Sequence, residues 1–166
     1  MQTSIENMLK EWSEESKNSL SIMRVLTDQS LNQKVYDGGR TLGGIAWHIV
    51  LTLGEMTSTT GLTVEAPTEY TPAPNKASEI ADIYEKTAAS LGKEISEKWT
   101  DAMLQEDIAI YGENWKRGFL VDALFKHEIH HRAQMTILMR QAGLKVPGVY
   151  GPSKEEWAAM GMPEME

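Results

Sequence analysis

Three of the chain's four histidines fall within five residues, His127-Glu128-Ile129-His130-His131. At roughly 100° per residue of helix, His127 and His131 stand about 40° apart and one turn along, within reach of one ion, while His130 is turned about 100° from His131. Leu120, Leu124, Met135, Leu138 and Ala142 recur at the same three-and-four spacing, so the His127/His131 pair belongs to an inward stripe. Two readings follow. Either the pair presents two imidazole nitrogens to a metal, which then needs a third ligand and an open position for catalysis, or both are hydrogen-bonded core histidines. The second reading needs several polar partners for two rings buried side by side. His48 is the remaining histidine, and it joins the pair only if the second and fourth helices are neighbours. Glu55, two turns beyond His48 on the same side, is the residue that could close such a site with a fourth ligand.

The same five residues fit the His-Glu-x-x-His pattern of zinc peptidases, in which the glutamate activates the metal-bound water. Against that, the chain shows no downstream third ligand of the peptidase kind and no sheet whose edge could hold an extended peptide. Glu128 remains a candidate catalytic base or partner of the site, beside the plainer reading of an exposed helix glutamate.

The rest of the chain must position these groups. Its 166 residues suit one domain, 1–166, with a core that needs no staples. There is no cysteine, so any metal is held by nitrogen and oxygen and any thiol must come from outside the protein. The net charge of −8 argues against nucleic acid as a partner. No apolar run reaches membrane-spanning length and the first residues do not read as a signal peptide, so a cytoplasmic protein with no membrane partner is expected.

In chain order, Thr3-Ser4-Ile5-Glu6 reads as a capping box before a long first helix with the stripe Ile5, Met8, Leu9, Trp12, Ser19, Met23 and Leu26. Ser16 and Ser19 are expected on its inward side, leaving space for a cavity. Thr41 caps a second helix expected from Leu42 to Thr60 and ended by Gly61, with Gly43 and Gly44 in its first turn pointing to close packing or ligand approach. Pro67, Pro72 and Pro74 make the following crossing extended. A third helix carries Ala77, Ile80, Ala81, Tyr84, Ala88, Leu91 and Ile95 on one face. Between Trp99 and Asn114 the pattern allows one helical turn at Asp101 to Gln105 and an extended Asp107 to Tyr111, with Asn114 as cap of the histidine helix. Gly143 ends that helix, and Ser153-Lys154-Glu155-Glu156 opens a short C-terminal helix around Trp157. The fold expected is all-α, a four-helix bundle with a long crossover between helices 2 and 3. Trp99, Met103, Trp157 and Met160 lie outside the stripes and are expected to seal the bundle ends or cover a partner.

Trp47-His48, the run from His127 to Gln134 and the segment Leu144-Lys145-Val146-Pro147-Gly148-Val149-Tyr150-Gly151-Pro152 together resemble the DinB-like (YfiT-like) family, over essentially the whole chain. Ala133 stands where the family pattern usually has glycine. The resemblance implies a four-helix bundle, a homodimer, and a divalent metal, nickel or zinc, bound by three histidines and water. The matching positions are His48, His127 and His131. It further implies a small-molecule substrate and either transfer or isomerisation with a low-molecular-weight thiol as cosubstrate, or metal-dependent hydrolysis. In either case the ion would lower the pKa of a bound water or thiol. A non-catalytic bundle with a structural or ligand-binding metal is the alternative.

Overall fold

The computed structural model describes residues 1–163. Four long helices carry the fold: α1 Ile5–Val25, α2 Leu42–Glu55, α3 Ala77–Lys98 and α4 Arg117–Gln141. Their principal contacts run α1 to α3, α3 to α2, α2 to α4 and α4 back to α1, so α2 and α4 are neighbours, as a three-histidine site requires. Among the described residues no helix is long and apolar enough to cross a membrane.

Local chemistry sets the helix ends. Ser4, one residue later than Thr3, caps α1 by accepting from the Asn7 amide, and Thr41 caps α2 by accepting from the Gly44 amide at 3.0 Å; each cap is worth about 1 kcal/mol. The second helix stops at Glu55 instead of Thr60. The reason is the run Thr57-Ser58-Thr59-Thr60, whose hydroxyls compete with the helical ladder: Thr57 Oγ1 donates to Leu53 O at 2.6 Å and Thr60 Oγ1 to Thr57 O at 2.6 Å, and the chain turns until Gly61 at φ +80°. At the far end of α4, Gly143 N donates to Arg140 O and Leu144 N to Met139 O, the paired bonds of a Schellman cap.

The expected stripe of α3 is buried throughout. On α1 the inward positions are Met8, Trp12, Glu15, Ser19, Ile22 and Met23, so Glu15 takes the place expected for Ser16, which is only half-buried. Trp12 stacks on Phe125 with centroids 5.3 Å apart and donates its indole N–H to Ala88 O at 3.0 Å, closing α1, α3 and α4 around one aromatic pair. α4 buries two faces, one through Leu120, Leu124, His131, Met135 and Leu138 and another through Val121, Phe125, Glu128, Arg132 and Met139. A helix seated between two neighbours, with a third across the core, cannot leave either face polar and unpaired.

The structure decides between some expectations and changes others. A Cβ on Gly43 would sit 3.0 Å from Leu31 Cβ, within the 3-10 turn Ser30–Asn32, so this glycine serves close packing and not a ligand. Asn114 does not cap α4. It lies in β2 Glu113–Lys116, antiparallel to β1 Asp107–Ile110, with Ala109 opposite. The two-residue turn between them has Tyr111 at φ 52° and Gly112 at φ 78°, both positive, as the tightest hairpin turn demands. Trp99 is buried with the Arg117 guanidinium 5.0 Å over its ring, so it closes the bundle end. The helical turn at Asp101–Gln105 is present, and the C-terminal helix is a single 3-10 turn, Ala158–Met160, preceded by Glu156 accepting from Ser153 N.

Candidate metal centre

The α2–α4 seam brings His48, His127 and His131 together. His48 Nε2 is 3.3 Å from His127 Nε2, which is 3.1 Å from His131 Nε2. Among the described residues these three form the histidine and carboxylate group whose ligand atoms converge, all within 4.8 Å. Imidazole nitrogens about 2.0–2.1 Å from one ion stand about 3.0 Å apart in cis octahedral positions and about 3.4 Å apart in a tetrahedron, so the two spacings made by His127 fall in the range of both geometries. His130 points outward, is exposed, and stays outside the cluster.

The rings are held in the protonation state that coordination needs. Gln134, one turn past His131, places its amide oxygen 2.8 Å from His131 Nδ1 and its amide nitrogen 3.1 Å from His130 Nε2. His131 Nδ1–H therefore donates to Gln134, and its Nε2 lone pair faces the cluster. With that nitrogen bare, one proton on His127 Nε2 serves only one of its two contacts. A cation serves both. Desolvation is the largest influence on all three rings and lowers their proton affinity; in His48, repulsion from His131, His127 and Arg40 adds to it and the pKa falls to about 4. Among the described residues His127 Nδ1 is buried without a partner, so packing and the Nε2 contacts to His48 and His131 orient that ring.

Glu128 is not the exposed helix glutamate of the plainer reading. It is 1% exposed, and Ser19 Oγ and Tyr84 OH each donate to its Oε1 at 2.6 Å. It thus faces α1 and α3, while the histidines face α2. Beside it, Arg132 donates to Glu15 Oε2 and to Tyr150 OH, both at 2.6 Å, and to Glu15 O and Ser19 Oγ at 3.0 and 3.1 Å. Tyr150 in turn donates to Glu15 at 2.7 Å. Desolvation raises the Glu128 carboxyl to about 7 against the bonds from Ser19 and Tyr84, and burial raises the Tyr84 phenol well above its ordinary value. Glu55 does not close the histidine site: both its oxygens accept from Tyr111 OH, at 3.0 and 2.9 Å.

Gln134 and the Glu15/Arg132 pair were missed by sequence reasoning. A signal existed for the pair, since Glu15 sits between Trp12 and Ser19 on the α1 stripe and Arg132 is one turn from Glu128. For Gln134 the signal was its place one turn past His131, at the end of the run that carries the family resemblance.

A mainly helical four-helix bundle with three histidines converging from its second and fourth helices defines a class of protein. The chain belongs to the DinB family, whose sequence pattern matches residues 1–165. It is 45% identical over 158 residues, 95% of each chain, to YrdA of Bacillus subtilis strain 168, a protein described as uncharacterized. Its structure matches the crystal structure of a DinB-like protein from Bacillus cereus ATCC 10987 with a TM-score of 0.87 and 41% identity, over 90% of this chain and 100% of that one. A second DinB-like protein, YjoA from Bacillus subtilis, shares the fold at a TM-score of 0.66 and 18% identity, over 86% of this chain and 96% of that one.

Proposed function

We propose that His48, His127 and His131 bind one divalent ion, nickel or zinc, and that the protein is a metal-dependent enzyme acting on a small-molecule substrate with a thiol or water as nucleophile. The observation that carries this is the convergence of three Nε2 atoms, with His127 Nε2 3.3 Å from that of His48 and 3.1 Å from that of His131, the last fixed with its lone pair inward by Gln134. When bound, the ion supplies a Lewis-acidic position that lowers the pKa of a small nucleophile. The chain's own part is to hold three neutral rings, to keep their proton affinity low through burial, and to supply no carboxylate among the described residues to fill the remaining position. Three protein ligands are the number found in catalytic sites, four in structural ones. The orientation of Glu128 toward Ser19 and Tyr84 counts against the peptidase reading, because a base for metal-site water must face the ion.

Elemental analysis of protein purified without an affinity tag tests the reading. About one nickel or zinc per chain is expected, falling to near zero in His127→Ala and His131→Ala and unchanged in His130→Ala. Stoichiometry that survives the first two substitutions would sink it. A supplied thiol that accelerates turnover of an electrophile selects transfer; turnover of an activated ester without thiol selects hydrolysis. A homodimer belongs to the same proposal, and sedimentation at micromolar concentration tests it.

A further inference from the structure

The surface beside the histidines has a chemistry that the metal reading leaves unused. Along the α2–α4 seam, Ile45 lies one turn from His48, and Gln134 and Leu138 lie one and two turns from His131. With Val35, Tyr36 and Arg40 of the loop before α2, they line an open recess of about 360 Å³. The recess shares a wall with the site, because the Gln134 side chain that lines it is the one that accepts from His131 Nδ1.

Its charge is unusual for this chain. Arg40 is exposed, and no described carboxylate pairs with it. It lines the same recess as Gln134, whose amide oxygen is 2.8 Å from His131 Nδ1, so a fixed positive charge stands on the wall next to the histidines. Of the two candidate acids of the histidine site, Glu55 accepts from Tyr111 and Glu128 from Ser19 and Tyr84, and neither forms an ion pair with Arg40. In a protein of net charge −8, a guanidinium set near a cation site makes the space between them favourable for an anion. The recess also leaves apolar surface in water, with Val35 64% and Tyr36 69% exposed. A planar guanidinium is the group that pairs with a carboxylate through two parallel bonds.

We infer that this recess binds the substrate of the three-histidine site, a small amphipathic carboxylate whose charge pairs with Arg40 and whose apolar body lies on Val35, Tyr36 and Leu138. The assignment rests on the metal reading of the histidines, and its test separates the two. Isothermal titration of the full chain, metal-free and nickel-loaded, would use 4-phenylbutyrate and 4-phenylbutan-1-ol as probes. The acid binds both forms, the alcohol about tenfold more weakly, and Arg40→Gln weakens the acid about tenfold in both forms while leaving the alcohol unchanged. Tyr36→Ser weakens acid and alcohol alike. Acid and alcohol binding equally would overturn the inference, as would Arg40→Gln leaving the acid unaffected, because the ion alone would then hold the carboxylate. A dimer that excludes the acid and that Tyr36→Asp dissociates would overturn it too, the recess then being covered by a second copy. If the metal-free chain behaves as expected but no divalent ion binds at His48, His127 and His131, the anion recess stands and the metal reading falls.

Discussion

Helix α4 carries two pairs of polar side chains with the same spacing, His127 with His131 and Glu128 with Arg132, rotated from each other by about 100°. The two pairs meet different surroundings. Glu128 and Arg132 enter the core against α1 and α3, where Ser19, Tyr84, Glu15 and Tyr150 provide donors and acceptors for the guanidinium and for Glu128 Oε1, and only Glu128 Oε2 of the pair is buried without a partner among the described residues. The histidines enter the seam with α2, where their Nε2 atoms find mainly one another and His48. A polar group that its own neighbours satisfy holds the fold together. One that only a further cation can satisfy is poised for a ligand.

Removing a histidine should break this contrast most sharply. His127→Ala or His131→Ala is expected to abolish metal content while shifting the metal-free Tm little, since each deletes a ring that gains few bonds from its surroundings. Elemental analysis and thermal melts of the same samples check it. A large loss of metal-free stability would make the histidines structural.

The opposite substitution probes the other pair. Arg132→Met leaves Glu15 buried without its cation and is expected to cost about 3–5 kcal/mol in urea unfolding. Metal stoichiometry should stay at the native value in the folded protein.

Glu128 sharpens the comparison through pH. Its folded-state pKa of about 7 lies above the ordinary 4.5, so between those values the folded state binds more protons than the unfolded state. Stability from this group is therefore full below about pH 4.5, falls as pH rises, and is lost above about pH 7, by about 3 kcal/mol in all. Glu128→Gln should remove that slope from urea titrations between pH 4.5 and 7, whereas the same slope in the variant would place the titration elsewhere.

The smallest effect expected is at Gln134. Gln134→Ala frees His131 Nδ1 and should weaken metal binding about tenfold in a chelator competition. An unchanged affinity would mean that packing alone orients the ring.

The sequence was most readable where a residue's role depends on its own helix. The α3 stripe, the Thr41 cap, the Gly143 stop and the inward direction of His127 and His131 follow from a period of 3.6 and from backbone groups within a few residues. Where two signals overlap on one helix, reading failed. α4 buries two faces, so Glu128 looked like a solvent-side charge, and on α1 Glu15 occupied the inward place expected for Ser16. The hairpin was half-legible for a similar reason: the extended Asp107 to Tyr111 was visible, but Glu113–Lys116 gains its strand character only from pairing with it.

What the amino-acid order determined by itself was therefore local: four amphipathic segments, their caps, and a histidine pair one turn apart. The tertiary structure decided that α2 lies beside α4, which brings His48 to that pair across 79 residues of chain. It also decided that Glu128 and Arg132 face partners on α1, α3 and the segment after α4, and that Arg40 lines the recess next to the histidines with no ion-pair partner among the described residues. Periodicity specifies which face of a helix turns inward. It carries no information on which helix waits there, because every apolar face gains nearly the same free energy from any other, and only the simultaneous packing of all four selects the neighbours.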